Sequence, residues 1–125
     1  MTIVASDFAA ALAFYDAALG ALGLVRSAEF GDEEADDPDV EAAVWSDPSG
    51  RAVVWLVTGA QPSRGAYVTL RAETRADVER FFAAACAAGG TPRTAPRRWA
   101  VYRRGDFGAA VADSHGNTVE VVAPE

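Results

Sequence analysis

Apolar positions along this chain switch between a helical period and a strand period, and the switches mark its elements. Phe8, Leu12, Tyr15 and Leu19 recur at helical spacing behind Asp7, a good N-cap residue, and Gly20 and Gly23 close the run. The spacing predicts a helix from Asp7 to about Leu22, preceded by a short strand over residues 1–6. Leu24–Phe30 reads as a strand. Glu41–Trp45 and Arg51–Thr58 read as a hairpin around Asp47-Pro48-Ser49-Gly50, with the proline and glycine that a type I turn prefers. Residues 59–65 form a linker containing Pro62. Ala66–Ala72 then alternates, with Ala66, Val68 and Leu70 on one side and Tyr67, Thr69 and Arg71 on the other. Thr74 opens a second helix that runs to about Ala88 and ends at Gly89-Gly90. Thr91–Ala95 reads as a strand, and Pro96–Asp106 as an Arg-rich loop carrying Trp99 and Tyr102. Residues 108–122 close the chain as a hairpin turning at Asp113-Ser114-His115-Gly116, where the glycine supplies a positive φ.

This order of elements occurs twice. AFYDAALGALG (13–23) matches RFFAAACAAGG (80–90), and the turn Asp47–Gly50 matches Asp113–Gly116. The expected fold is therefore α+β, one domain of two βαβββ modules, 1–58 and 66–125. Their strands are expected to form one curved, mostly antiparallel eight-stranded sheet around a central trough. Period two in the closing hairpin puts Ala110, Ala112, Glu120 and Val122 on one face and Ala109, Val111, Val119 and Val121 on the other. Aligning the turns sets Glu120 against Val54. Val44, Val54 and Leu56 are then expected on the trough face. Trp45 and Trp55 are expected to pack on the first helix, where Ala10, Ala13 and Ala17 leave room.

The 125 residues suit one domain, and half of them are hydrophobic. A net charge of −7 argues against nucleic acid and anionic membrane surfaces, which both need a basic stripe. It is compatible with a cationic small ligand. The acidic run 31–41 is expected to be a solvated loop. The single cysteine, Cys86, excludes an intrachain disulfide. No signal-peptide pattern or membrane-length apolar run is visible, so the expected location is the cytoplasm.

Glu120 is the candidate for chemistry, as a base or as an anchor for a ligand cation or hydroxyl. A carboxylate among valines is costly unless paired, and Tyr67, Thr69 and Arg71 share its expected face. Tyr67 or Arg71 donating to Glu120 would equally make a satisfied structural cluster. Val54 and Leu56 are expected to line the trough, with Trp99 and Tyr102 at its mouth as ligand contacts. His115, the only histidine, sits at a turn tip and is expected to face solvent.

Ser6–Leu24, reading S-D-F-x-x-x-L-x-F-Y-D-x-A-L-x-x-L-G-L, resembles the first helix of the vicinal oxygen chelate superfamily. That group holds glyoxalases, bleomycin-resistance proteins and extradiol dioxygenases. Gly108–Val122 resembles its closing hairpin, usually D-P-x-G-N-x-I-E. The resemblance implies the two-module fold, a small-molecule ligand and a homodimer. In the superfamily's metal enzymes, ligands stand on the first, fourth, fifth and eighth strands. Carried over, these become a position one residue before Met1, then Val54, Tyr67 and Glu120. Only Glu120 is a usual ligand, so no metal and no cofactor is expected. A metal-free binding protein is the first reading. A glyoxalase- or dioxygenase-like enzyme with a modified metal site is the alternative, and a structural dimer with a vestigial pocket a third.

Overall fold

A computed structural model of the chain describes residues 2–30, 41–98 and 106–124, with the backbone alone for 27–30. In chain order the elements are β1 (Thr2–Ala5), α1 (Phe8–Gly20), β2 (Val25–Phe30), β3 (Ala42–Ser46) and β4 (Ala52–Thr58), then β5 (Tyr67–Arg71), α2 (Arg75–Ala87), β6 (Thr91–Arg98), β7 (Phe107–Ala112) and β8 (Thr118–Ala123). The βαβββ unit therefore occurs twice, as the repeat implied. The acidic run 31–40, Trp99 and Tyr102 lie outside the described residues.

The fold is the expected α+β arrangement of two modules, and hydrogen bonding divides its eight strands into two four-stranded sheets, β1-β4-β3-β2 and β5-β8-β7-β6. The linker closes the outer edge of β1. Ser63 Oγ accepts from the Val4 N–H at 2.9 Å, and the Ser63 N–H donates to the Val4 carbonyl at 2.9 Å. The linker thus occupies the edge of β1 that a neighbouring strand would need. Within each sheet the outer hairpins are antiparallel, while β1–β4 and β5–β8 run parallel.

Each helix starts where its cap dictates. Asp7 Oδ1 accepts from the Ala10 N–H at 3.1 Å. Thr74 and Asp77 form a reciprocal capping box, which holds the Asp77 carboxyl below the usual carboxylate range, the Thr74 bond first and the Arg80 guanidinium among the lesser causes. One apolar core fills the space between helices and sheets. Tyr15, Leu19, Phe81, Val111, Val119 and Val121 meet there with Trp45, Val54 and Leu56.

The last two side chains correct an expectation. Val54 and Leu56 were assigned to the Glu120-bearing face, yet they are buried against the helices with Trp45. A β-bulge is the cause. Trp45 pairs with Val54 but Ser46 pairs with Ala52, so Val53 is an extra residue on β4. One inserted residue turns every later side chain to the opposite face. Trp55, expected on α1, instead pairs with Val44 on the face away from the helices and is 39% exposed. Trp45 does pack on α1, its indole N–H donating to Asp16 at 3.2 Å. A second difference concerns β6, which runs through Pro96 to Arg98, beyond the expected Ala95. It is the outer strand of its sheet, where a proline's missing donor faces no partner.

Gly90 closes the α2–β6 connection where helix, sheet and α1 converge. A Cβ there would lie 2.5 Å from Val111 Cγ1 and 2.7 Å from both the Ala85 carbonyl and Phe14 Cε1. Gly20, at the end of α1, has nothing within 4 Å of its virtual Cβ. Gly90→Ala is expected to lower stability by about 1–3 kcal/mol through overpacking. Gly20→Ala is expected to raise it by about 0.5–1 kcal/mol through helix propensity. Urea denaturation midpoints of the two variants check the pair.

Candidate functional site

The β5–β8 register sets the geometry around Glu120. Thr69 is its direct partner on β5, Ala110 its partner on β7, and Tyr67 stands two residues before Thr69 on the same face. The Tyr67 hydroxyl donates to Glu120 Oε2 at 2.5 Å, and Thr69 Oγ1 donates to Oε1 at 3.0 Å. The carboxylate is 7% exposed and both its oxygens accept. Burial, then the bond and the charge of Glu120, push the Tyr67 hydroxyl up to about 12, although the ring itself is 61% exposed. Arg71, the other expected partner, turns elsewhere: its Nη1 lies 3.9 Å from Asp106 Oδ2. Of the proposed site residues, Glu120, Tyr67 and Thr69 are thus brought together. Val54 and Leu56 are withdrawn into the core, and Trp55 takes the place facing outward on the other sheet.

The turn before β8 carries a second polar cluster. Asp113 Oδ1 accepts from the His115 and Asn117 N–H groups at 2.8 and 3.0 Å. Asp113 Oδ2 accepts from the Tyr15 hydroxyl at 2.6 Å and the Asn117 side-chain amide at 2.9 Å. Asn117, 1% exposed, also donates to the Ser63 carbonyl at 2.7 Å and accepts from the Ala66 N–H at 3.0 Å. Helix α1, the linker and the β7–β8 turn are thereby tied together across the two modules. Burial first, then Asp113, hold the Tyr15 hydroxyl far above its ordinary range. The sequence reading singled out none of these as partners. The signal was present in the Asp-x-x-Gly-Asn turn and in a tyrosine on an otherwise apolar helix face. In the repeat, Phe82 and Arg51 stand where Tyr15 and Asn117 stand, and among the described residues the Asp47 side chain bonds only within its own turn, to Ser49 and Arg51.

Two βαβββ modules with a polar cluster on the helix-free face of one sheet define a glyoxalase-like protein. The model of the Glyoxalase/Bleomycin resistance protein/Dioxygenase superfamily matches residues 1–121, and the chain belongs to that superfamily. A glyoxalase/bleomycin resistance protein from Albidiferax ferrireducens is 20% identical, with 99% of this chain and 95% of that one covered and a TM-score of 0.72. A glyoxalase I mutant from Zea mays is 18% identical at a TM-score of 0.73, with 98% of this chain matching 45% of that one. A genomically encoded fosfomycin resistance protein from Listeria monocytogenes, complexed with Mn(II) and sulfate, is 12% identical, with 99% and 88% covered and a TM-score of 0.65. At these identities the likeness is one of fold. Among curated proteins, none matches the chain.

The Tyr67–Glu120 bond has a spectroscopic signature. Tyrosinate absorbance should show one group titrating near 12, and Glu120→Gln should lower that value while burial keeps it above 10. Because the folded value is raised, the bond's stabilisation is complete below pH 10 and is lost as pH rises through 12. A Tyr67 titration unchanged by Glu120→Gln would contradict the geometry.

Proposed function

We propose that this protein binds a small, partly apolar or planar molecule at the Glu120-bearing face, without a metal, as a cytoplasmic homodimer. The observation that carries the reading is the solvent-reachable Tyr67 ring with its hydroxyl on a nearly buried carboxylate. A flat aromatic surface beside an anchored acid suits a planar cation or a hydroxyl donor. Trp55, on the matching face of the other sheet, offers a second aromatic surface. Trp99 and Tyr102 contribute further contacts in this reading. Dimerisation would bring the helix-free faces of two chains together and cover the exposed parts of Trp55 and Tyr67. No helix among the described residues is long and apolar enough to cross a membrane.

The metal that the superfamily's enzymes use does not fit these residues. With the bulge counted, Trp55 takes the fourth-strand position, and an indole has no lone pair to give. Tyr67 takes the fifth-strand position as a neutral donor, and both Glu120 oxygens already accept hydroxyl hydrogen bonds. Among the described residues no group of three or more His, Cys, Asp or Glu is placed to hold an ion. No step is therefore routed through a metal.

The alternative is a lyase- or isomerase-type enzyme in which Glu120 moves a proton. The short Tyr67–Glu120 bond favours it, because it places an acid and a base side by side.

Proflavine, a planar aromatic cation, should raise the melting temperature of the wild-type protein by mass action. Glu120→Gln should abolish that rise while costing about 1–3 kcal/mol of intrinsic stability. An equal rise in the variant would leave Glu120 a purely structural role. No rise in the wild type would contradict the binding reading for this ligand class.

A further inference from the structure

A cleft of about 330 Å³, whose lining does not include Glu120, opens where the start of α1 meets the β7–β8 turn and the end of α2. Its apolar wall comes mostly from the first module, with Ile3, Ala10, Ala11 and Phe14, and is completed by Ala88 at the end of α2. Its polar groups are Asp7, Asp113, Ser114, His115 and Asn117. His115 therefore does not simply point into water, as its place in the turn suggested. It is half-buried and lines this cleft.

Two of these polar groups have capacity left. The Asp7 cap uses Oδ1, and Oδ2 accepts no hydrogen bond among the described residues. The His115 ring contacts Ser114 Oγ through Nδ1 at 3.2 Å, and Nε2 has no partner among the described residues. Asp113 and Asn117, by contrast, are saturated by the bonds that tie the modules together. Among the described residues the charge is one-sided: two carboxylates line the cleft and no arginine does. The positive end of the α1 dipole offsets about half a charge, so the field remains negative. The repeat provides an internal contrast. At the matching junction, where the Asp47 turn meets the start of α2, a cleft of about 570 Å³ is lined by Arg71 and Arg80 as well as by Asp47, Glu73 and Asp77.

We propose that the α1–turn cleft binds small primary ammonium compounds with a flat apolar body. The ammonium bonds Asp7 Oδ2, and the body lies on Ala10, Ala11 and Phe14 beside the His115 ring. The volume is at the lower end for small-molecule sites, which suits one aromatic ring with a short chain. This site stands independently of the reading given for Glu120.

The only histidine gives a single pair of imidazole signals, so binding can be followed by NMR at one known place. 2-Phenylethylammonium should shift these signals saturably at pH 8, and 3-phenylpropionate, of similar shape and opposite charge, should not. Asp7→Asn keeps an equally good N-cap, so the helix survives while the charge is removed. It should weaken 2-phenylethylammonium about tenfold, the loss of a charge-assisted bond at a half-open site. Ala10→Leu, at an exposed helical position, fills the cleft and should abolish the shift. Equal affinity for 2-phenylethylammonium in Asp7→Asn, equal binding of 3-phenylpropionate by the wild type, or no saturable shift in the wild type would overturn the proposal.

Discussion

A carboxylate leaves water only where donors replace the water, and the helix-free face of the second sheet is arranged around that requirement. Thr69 faces Glu120 directly across the parallel β5–β8 register, and Tyr67, one step along the same face, reaches it with a longer side chain. Ala110 on the other flank is small enough to leave the carboxylate room. Replacing either hydroxyl donor by an apolar group would leave a lone pair of a buried acid short of a partner, which costs more than an ordinary hydrogen bond contributes. The same arrangement constrains function. An acid whose two oxygens already accept from tyrosine and threonine is a poor starting point for a metal shell.

The two modules are positioned by different means at their two junctions. At one, Tyr15, Asp113, Asn117 and Ser63 connect α1, the linker and the last hairpin through a run of short, largely buried hydrogen bonds. At the other, the Asp47 turn is satisfied within itself. A duplicated unit has therefore kept its turn geometry while only one copy carries the cross-module ties. The clefts at the two junctions differ as well, one acidic with an imidazole and one of mixed charge.

Much of this was legible in the sequence, and the failures have specific causes. Helical periodicity with Asp7 and Thr74 as caps fixed both helices to within two residues. The repeat gave the module order, and Glu120, Tyr67 and Thr69 were correctly placed on one face because the second hairpin is regular. The first hairpin is not. Its bulge at Val53 leaves no mark in a run of consecutive apolar residues, so Val54, Leu56 and Trp55 were assigned to the wrong faces. The approach of Arg71 to Asp106 could not be read either, because Asp106 is far along the chain and periodicity carries no information about such pairs. The closure of the outer edge of β1 left no mark in the sequence, because it depends on Ser63, a linker residue bonding to the backbone of β1.

The most direct test of the central claim, that Glu120 is held by protein hydroxyls and not by a metal ion, is the metal content of the protein. The protein would be purified without chelator and dialysed against Ni, Zn, Mn and Fe salts in turn. The account predicts well under one equivalent of each ion, with Glu120→Gln indistinguishable from the wild type. A stoichiometric ion that disappears in Glu120→Gln would contradict it.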